Sequence, residues 1–370
     1  MPGFHARSAA PFDRGRETDV AISITGGDIL GEGLERRDLA VADGLIAAFD
    51  TAPRAGALRL DATGLLVLPG LVDCHGDAFE RHVMPRPRVA FDIDLALKDA
   101  DRALLANGIT TAFHGVTWSW EPGLRGAQNA RALAESIDKL QPELGADTRF
   151  HLRHETFNLD AEPQILDWLA QGRIGVLAFN DHTEGTLKTR HRPDKIGKMV
   201  ERTGLSTEAF MALVETVYAR KSEVEGSIAR LAAAARAAGV TMFSHDDMTP
   251  DMRAWYRSLG VTVAEFPIDE ATARAAEAHG EAIVFGLDYY YPALALAPFL
   301  LARRGAASFA EAWALVSRAP AQALRLDDRG VIAPGKRADL VLVEEGPHPR
   351  IVATIAAGRL VHLADQRLLG

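Results

Sequence analysis

The chain has 370 residues, of which 48% are hydrophobic and 25% are charged, so it is long enough to bury a large core. A formal net charge of −9 argues against a broad nucleic-acid-binding surface, and no apolar run approaches the roughly 20 residues that span a bilayer. Cys74 is the only cysteine, which excludes an intrachain disulfide and fits a reducing compartment.

Both ends of the chain differ from its middle. Residues 1–19 are polar and lack the apolar segment of a signal peptide, so we interpret them as a loose N-terminal segment of a cytoplasmic protein. Residues 20–62 contain short alternating apolar and polar runs with an Asp-Gly turn signal, and residues 330–370 repeat this pattern around Gly358. These two segments are predicted to fold together as one small β-sandwich that flanks the rest of the chain.

The middle of the chain, residues 63–329, repeats a helix, a glycine and a short apolar run. A glycine suits the left-handed position that ends a helix, and the apolar runs suit strands buried on both faces. A first strand at residues 67–74 is followed by runs at residues 109–114, 150–153, 174–180, 240–245, 261–266 and 281–285. This alternation predicts an α/β fold, namely a distorted (β/α)8 TIM-like barrel. An open doubly wound sheet is the alternative, which the lack of a Gly-rich phosphate motif weakens.

The predicted strands number seven, whereas a (β/α)8 barrel has eight. The last run, at residues 281–285, is followed by Gly286, Leu287 and then Asp288. A crossover between parallel strands needs a dozen or more residues, so two neighbouring strands cannot be joined here. Either a stretch of about one βα unit is omitted from this sequence or the unit is deleted, and we favour omission. A deletion would affect both the position of Asp288 and substrate binding.

Nearly every predicted barrel strand ends in a residue that can bind a metal. Because the carboxyl ends of parallel barrel strands converge on one face, we expect these distant residues to meet. Imidazole and carboxylate groups suit a catalytic divalent ion, so one or two ions are expected, with Zn²⁺ or Mn²⁺ favoured. Asp288 is our choice for the catalytic group that takes a proton from the attacking water. The candidate residues are His75, Asp77, Glu155, His182, His245 and Asp288.

Single members of this set have simpler explanations. His182 is explained equally well as a capping or surface histidine, and Glu155 as the ion-pair partner of Arg153. Asp246 and Asp247 are interpreted as caps of the helix that follows them. The combination of several strand ends, and not any one residue, therefore predicts the metal site.

Several segments also resemble a known family. Residues 69–75 (PGLVDCH) resemble the opening strand of the amidohydrolase superfamily, and residues 329–342 resemble its return into the β-sandwich. The likeness extends over nearly the whole chain after residue 20. Other segments look like the PhnM branch, which belongs to the carbon–phosphorus lyase pathway of phosphonate use; they are residues 75–77, 82–87, 151–155, 181–182, 244–247, 264–267 and 288–290.

This resemblance implies an activity and a ligand set. The implied reaction is hydrolysis of α-D-ribose 1-methylphosphonate 5-triphosphate to the 5-phosphate and pyrophosphate, so the expected partner is a small phosphorylated substrate. The resemblance does not fix the oligomeric state, for which a homodimer is one alternative. The implied metal ligands are the six residues named above, with Glu155 replacing the bridging carboxylated lysine of other branches.

A triphosphate substrate needs cationic partners, and arginine suits bidentate contacts with phosphate. Arg86 and Arg153 lie on or just beyond strand ends and are the candidate substrate-binding residues, although each is explained equally well as a structural arginine. A basic loop could steer an anion, but such a cluster is more often a solvated surface. Its residues are Lys188, Arg190, Arg192, Lys195 and Lys198.

Two other functions stay open beside the diphosphatase. A shared metal centre also permits an amidohydrolase that cleaves a C–N bond in a cyclic amide or an N-acyl group, because fold and metals do not fix the substrate. The apparent gap before Asp288 permits a non-enzymatic binding relative with an impaired site.

Overall fold

A computed structural model describes residues 20–86, 89–287 and 289–369, without the side chains of Pro193, Lys195 and Lys198. The predicted loose segment at residues 1–19 and the predicted catalytic Asp288 therefore lie outside the described residues. The described chain forms two sheets, one antiparallel in large part and built from both chain ends, the other parallel and built from the middle. None of the described helices is long and apolar enough to cross a membrane.

The first sheet pairs the two ends of the chain. Its strand order is β15-β14-β13-β5-β1-β2-β3, and β4 pairs with β1. The central contact between the two ends is antiparallel, with Leu340 opposite Pro69 and Val343 opposite Leu66. The strands are β1 (Ile22–Leu30), β2 (Leu34–Ala42), β3 (Leu45–Phe49), β4 (Leu58–Asp61), β5 (Leu66–Pro69), β13 (Leu340–Glu344), β14 (Arg350–Ala356) and β15 (Arg359–Leu363).

The second sheet is the barrel wall, and it contains seven parallel strands in sequence order. Most of its strands are buried along their whole length, as expected for strands covered on both faces. The strands are β6 (Leu71–Gly76), β7 (Ile109–Trp118), β8 (Asp147–Glu155), β9 (Val176–Asn180), β10 (Thr241–His245), β11 (Val263–Glu265) and β12 (Ala282–Val284). The predicted barrel-like fold with flanking strands from both ends is confirmed, and so is the count of seven strands.

The helices surround this wall and extend beyond it. Helices α5 to α7 lie between β9 and β10 and form a cap with its own small hydrophobic cluster around Phe210. The helices are α1 (Glu80–Val83), α2 (Ile93–Ala106), α3 (Ala127–Leu140), α4 (Glu162–Ala170), α5 (Thr183–Lys188), α6 (Pro193–Thr203), α7 (Thr207–Tyr218), α8 (Lys221–Ala237), α9 (Pro250–Ser258), α10 (Glu270–Glu277), α11 (Pro292–Arg303), α12 (Phe309–Ala314) and α13 (Arg318–Ala323). Two 3-10 turns, Leu159–Ala161 and Gln366–Leu369, complete the described elements.

The single strand predicted at residues 67–74 is wrong, because the chain changes sheets within it. Strand β5 belongs to the flanking sheet and β6 to the barrel, with Gly70 between them. The Gly70 N–H donates to the Asp339 carbonyl over 2.8 Å, and a Cβ at this position would lie 2.4 Å from the Thr110 hydroxyl. Only glycine allows this close crossing, and periodicity alone did not reveal it.

The open seam of the wall lies between β12 and β6, at residues 285–287. A Cβ placed on Gly286 would lie 2.1 Å from the His75 carbonyl oxygen, so the backbone of this link rests directly on the end of β6. The backbone of Leu287 also opposes the rise that burial causes in the pKa of the Asp73 carboxyl. The link thus occupies the place where an eighth strand would stand among the described residues.

An ion-pair cluster joins the barrel to the flanking sheet at the start of β8. Asp147 accepts hydrogen bonds from Arg329 at 2.6 Å, Arg149 at 3.0 Å and Arg337 at 3.2 Å. Burial opposes ionisation of this carboxyl, yet the arginines hold its pKa well below the usual range. Replacement by asparagine is therefore expected to lower the free energy of unfolding at pH 7 by about 2–3 kcal/mol.

The same variant tests the sign of the pKa shift. A carboxyl whose folded pKa is depressed contributes stability above its unfolded pKa of about 3.9 and loses it as the pH falls towards the folded pKa. Urea unfolding of wild type and Asp147→Asn should therefore differ most near pH 7 and progressively less below about pH 4. Asp160→Asn, at an exposed carboxylate that pairs with Arg220, is the control with an expected effect within about 0.5 kcal/mol. A difference equal at pH 3 and pH 7 would contradict this assignment.

Candidate metal centre

Four barrel strands deliver polar side chains to one end of the wall. Strands β6, β8, β10 and β11 each end in such residues, and a further histidine follows β9. All of them are buried except His182, whose side chain is 40% exposed. They are His75 and Asp77, Arg153 and Glu155, His182, His245, and Glu265. Five predicted ligands therefore lie in one connected set of contacts, together with Glu265, to which the sequence analysis gave no role.

Glu265 holds two of the histidines. Its Oε1 lies 2.7 Å from Nδ1 of His75, and its Oε2 lies 2.8 Å from Nδ1 of His245. The two imidazole rings are stacked, with centroids 5.3 Å apart. Burial alone would raise the pKa of this carboxyl, but the His75 and His151 rings hold the pKa of Glu265 well below its usual value. An ionised Glu265 accepts a hydrogen bond from the Nδ1–H of each ring, so both Nε2 atoms face away from Glu265.

Arg153 supports this arrangement from the other side. Its Nη1 donates to Oδ2 of Asp77 over 2.5 Å, and its Nη2 lies 3.1 Å from Nε2 of His245. A guanidinium can only donate, so Nε2 of His245 is the acceptor and its proton sits on Nδ1. Burial opposes the charge on Asp77, yet Arg153 lowers the pKa of that carboxyl well below its usual range. The structure therefore places Arg153 among the candidate ligands, paired and buried.

Glu155 and His182 form a second pair of interacting residues at the strand ends. Nδ1 of His182 hydrogen-bonds Oε1 of Glu155, and the His182 backbone N–H donates to Oε2 over 3.1 Å. Burial disfavours the charged carboxylate, but His182 lowers the pKa of Glu155 to about 2. The same attraction raises the pKa of His182 against the effect of burial. His182 is thus tied to the site and is not a simple surface histidine.

The residues after β10 do not cap the next helix as predicted. Thr249 caps α9 by accepting from the Met252 N–H over 3.1 Å. Asp247 is buried and pairs instead with Arg253 at 3.0 Å. Asp246 has a positive φ of 57°, which turns its carboxylate towards the site, 3.6 Å from Nε2 of His245. The capping interpretation of both aspartates is wrong because the left-handed turn at residue 246 redirects the chain.

The donor set fits a divalent metal. Two groups of three residues each bring possible ligand atoms within 4.8 Å of one another inside the group. The first group is His75, His151 and Glu265, and the second is His182, His245 and Asp246. In addition, Oδ1 of Asp77 and Nε2 of His151 are buried without a hydrogen-bond partner among the described residues. Buried polar atoms are normally satisfied, and unpaired imidazole nitrogen and carboxylate oxygen atoms are the donor types that bind a divalent cation. The residues present therefore match the predicted cofactor type.

An open cavity with an empty volume of about 410 Å³ adjoins this centre through Glu155 and His182. Its walls come from the loop after β7, the cap helices α5 and α6, and Phe210 of α7. Two arginines line it, Arg125 and Arg202. Arg86, predicted to bind substrate, is exposed, and its backbone forms a β-bridge with Val89. Among the described residues, it is not one of those that line this cavity.

Two described side chains of the basic loop form ion pairs with nearby carboxylates. Lys188 lies 3.8 Å from Glu184, and Arg192 lies 3.0 Å from Asp194. These contacts are those of a solvated surface, the interpretation that the sequence favoured.

Sequence reasoning gave no role to several residues at this site. Glu265 ends strand β11, so the strand-end rule applied consistently would have found it. His151 lies within a strand, and the rule has no signal for it. Arg125 and Arg202 stand in a loop and on a cap helix, and only the tertiary fold brings them to the cavity.

Sequence comparison relates the chain to known hydrolases. A family model described as "Amidohydrolase family" matches residues 288–362. The alpha-D-ribose 1-methylphosphonate 5-triphosphate diphosphatase of Escherichia coli (strain K12) is 29% identical over 342 residues, which cover 82% of this chain and 90% of that protein. Adenine deaminase 2 of Rhizobium etli is 28% identical over 96% of this chain, which spans only 58% of the deaminase.

Solved structures share the fold. An amidohydrolase from an environmental sample of the Sargasso Sea matches with a TM-score of 0.62 and 17% identity over 93% of each chain. Dihydropyrimidinase from Brevibacillus agri NCHU1002 matches with a TM-score of 0.57 and 16% identity, over 93% of this chain and 95% of that one. The chain is therefore similar to amidohydrolases in sequence and in fold. The resemblance to the PhnM branch is confirmed by the similarity to the Escherichia coli diphosphatase.

Proposed function

We propose that the protein hydrolyses α-D-ribose 1-methylphosphonate 5-triphosphate to the 5-phosphate and pyrophosphate. The observation that carries this proposal is the alignment with the Escherichia coli diphosphatase over 82% of this chain and 90% of that protein. The cavity supports it, because two arginines line the space next to Glu155 and His182. Guanidinium groups suit the phosphate groups of such a substrate.

We further propose that one or two divalent ions, with Zn²⁺ or Mn²⁺ favoured, are held at the strand ends. The proposed ligands are His75, Asp77, Glu155, His182, His245 and Asp288, and the proposed substrate-binding residues are Arg86 and Arg153. The unpaired Oδ1 of Asp77 and the Nε2 atoms of the two histidines held by Glu265 support this set. Asp246 is a further candidate ligand because its carboxylate lies near both His182 and His245.

The chemistry divides between the ion and the side chains. A bound divalent ion supplies Lewis acidity and lowers the pKa of a coordinated water towards neutrality. Arg153 keeps Asp77 ionised, and Glu265 holds Nδ1 of His75 and of His245 so that their Nε2 atoms face Asp77 and Asp246. Asp288 is proposed to accept a proton from the attacking water and to return it to the leaving pyrophosphate. The bond between the α- and β-phosphates breaks, and the water oxygen ends on one of the two products.

A direct assay tests the reaction. Metal-loaded protein is incubated with the ribosyl triphosphate, and pyrophosphate and the 5-phosphate are both quantified. Equal amounts of the two products are expected, with at least a 100-fold lower rate for Asp77→Asn, which removes a negative charge from the ligand set. Release of inorganic phosphate in place of pyrophosphate, or no turnover at all, would remove the diphosphatase proposal.

Cleavage of a C–N bond is the second candidate. It is favoured by the similarity to adenine deaminase 2 of Rhizobium etli, which aligns with 96% of this chain. Incubation of the same metal-loaded protein with adenine and with N-acyl and cyclic amides distinguishes the two candidates. Ammonia or amine release, with indifference to added triphosphate, would favour this second function.

A further inference from the structure

The cavity beside the metal centre carries two arginines that are each held by a carboxylate. Arg202 of α6 lies 2.7 Å from Oε1 of Glu121 through Nε and donates to Oε2 over 2.9 Å through Nη2. Arg125 donates to Glu80 over 3.0 and 3.1 Å, and to the hydroxyl of Tyr289 over 3.0 Å. Each guanidinium group is therefore paired with a carboxylate, and of the two carboxylates Glu121 also lines the cavity.

The two pairs differ in how easily a ligand can replace the carboxylate. Arg125 has an exposed fraction of 14% and shares its carboxylate with a tyrosine, so it is fixed from two sides. Arg202 is 26% exposed and stands on a cap helix, whereas its partner Glu121 is only 4% exposed. Burial raises the pKa of Glu121 even though Arg202 opposes this shift. The pair thus contains a carboxylate that is poorly solvated and an arginine that reaches open space.

A phosphate group is a stronger partner for this arginine than Glu121. It carries up to two negative charges and three acceptor oxygens, and it fits the guanidinium fork in the same bidentate way. Glu155 and His182 line the same cavity as Arg202, so a chain of phosphates bound at the proposed metal centre would share this cavity with Arg202. The cavity is partly open to solvent, and the Arg202 side chain is 26% exposed, so a phosphate group can reach this guanidinium from outside.

We propose that Arg202, released from Glu121, binds the phosphate groups of the substrate that leave as pyrophosphate, with Arg125 as the fixed second cation. This assignment rests on the proposed diphosphatase function and names its leaving-group subsite. Arg202 then determines selectivity for a polyphosphate ester over a monophosphate ester, and Glu121 keeps the arginine in place until the substrate arrives.

Binding of inorganic pyrophosphate, measured by isothermal titration calorimetry on metal-loaded protein, tests this subsite. Arg202→Gln is expected to raise the Kd at least tenfold. Glu121→Gln is expected to leave the Kd unchanged or to lower it, because a competing charge is lost. Arg220→Gln is the matched control, since Arg220 lies on the outer surface in pairs with Glu223 and Asp160. Each variant is checked by circular dichroism and thermal unfolding.

The outcomes separate a binding role from a structural one. An unchanged Kd in Arg202→Gln would overturn the proposal. An equal loss in Arg202→Gln and Glu121→Gln would also overturn it, because the pair would then serve only to hold α6 in place. Weaker binding of methylphosphonate but not of pyrophosphate in Arg202→Gln would assign the cavity to the other end of the substrate, and the proposal would fall.

Turnover data distinguish failure of this subsite from failure of the function. If wild type releases pyrophosphate from the ribosyl triphosphate and Arg202→Gln keeps the same KM, the diphosphatase stands and the subsite is wrong. If wild type gives no pyrophosphate but binds it through Arg202, the subsite stands for a different polyphosphate substrate. A selective rise in KM at nearly constant kcat is the expected result for both ideas together.

Discussion

Replacing His245 with asparagine is expected to weaken the binding of divalent metal more than 100-fold and to abolish turnover of the ribosyl triphosphate. Glu265 holds Nδ1 of His245, so that Nε2 faces Arg153 and Asp246 at the proposed metal site, and asparagine cannot place an imidazole nitrogen there. Loss of an outer-shell partner alone costs 10- to 100-fold in metal affinity, so loss of a direct ligand should exceed that range. Elemental analysis of the purified variant, followed by competition with a chelator, measures the effect.

The corresponding variant across the cavity is Glu155→Gln, which replaces the carboxylate that holds His182. It is expected to lose metal as well, because both proposed ligands of that side are then altered. His279→Asn and Glu270→Gln change an exposed histidine and an exposed glutamate on or next to α10 and serve as matched controls with full metal content. Retention of metal by both His245→Asn and Glu155→Gln would refute the ligand assignment.

Glu265→Gln is the second variant with a large expected effect, even though no contact with substrate is assigned to it. A glutamine offers one acceptor and one donor where the carboxylate offers two acceptors. One of the two histidines must then turn its Nδ1 into an acceptor, which moves its proton to Nε2 and blocks the lone pair that faces the site. We expect a 10- to 100-fold loss of metal affinity with the fold retained.

A spectroscopic measurement separates this positioning role from a packing role. Nitrogen-15 chemical shifts of the histidine rings report the tautomer directly, and they should change for His75 or His245 in Glu265→Gln. Glu270→Gln, at an exposed ion pair with Arg274, is expected to leave these shifts unchanged. Wild-type metal affinity together with unchanged histidine tautomers in Glu265→Gln would show that the two short contacts have no role in organising the site.

Much of the fold could be predicted because its signals are local. Glycine at the end of a helix and an apolar run after it mark most barrel strands, and the positive φ of Gly108, Gly239 and Gly260 agrees with the predicted helix ends. The division at Gly70 could not be predicted in this way. Residues on both sides of it are apolar and extended, and their separation into two sheets depends on where Asp339 and Thr110 lie in the folded chain.

The candidate site was predictable where residue type and strand position coincide. His75, Asp77 and His245 stand at strand ends, and topology alone brings them together. The direction of the Asp246 carboxylate depends on a left-handed backbone turn at residue 246, which the residue type alone does not predict. Arg202 required the packing of a cap helix over the barrel mouth, which depends on contacts between segments about 80 residues apart. Candidate ligands at strand ends can thus be predicted from the sequence. The residues that line the neighbouring cavity depend on tertiary packing and cannot.

The short link at residues 285–287 makes the architecture and the chemistry depend on the same few atoms. The backbone of Gly286 lies on the carbonyl of His75, so the closing point of the wall also supports the first proposed ligand. The closure of the sheet and the position of the His75 ring consequently depend on the same backbone contact. An insertion at this point would therefore have to keep the contact between Gly286 and the His75 carbonyl if the imidazole is to stay in place.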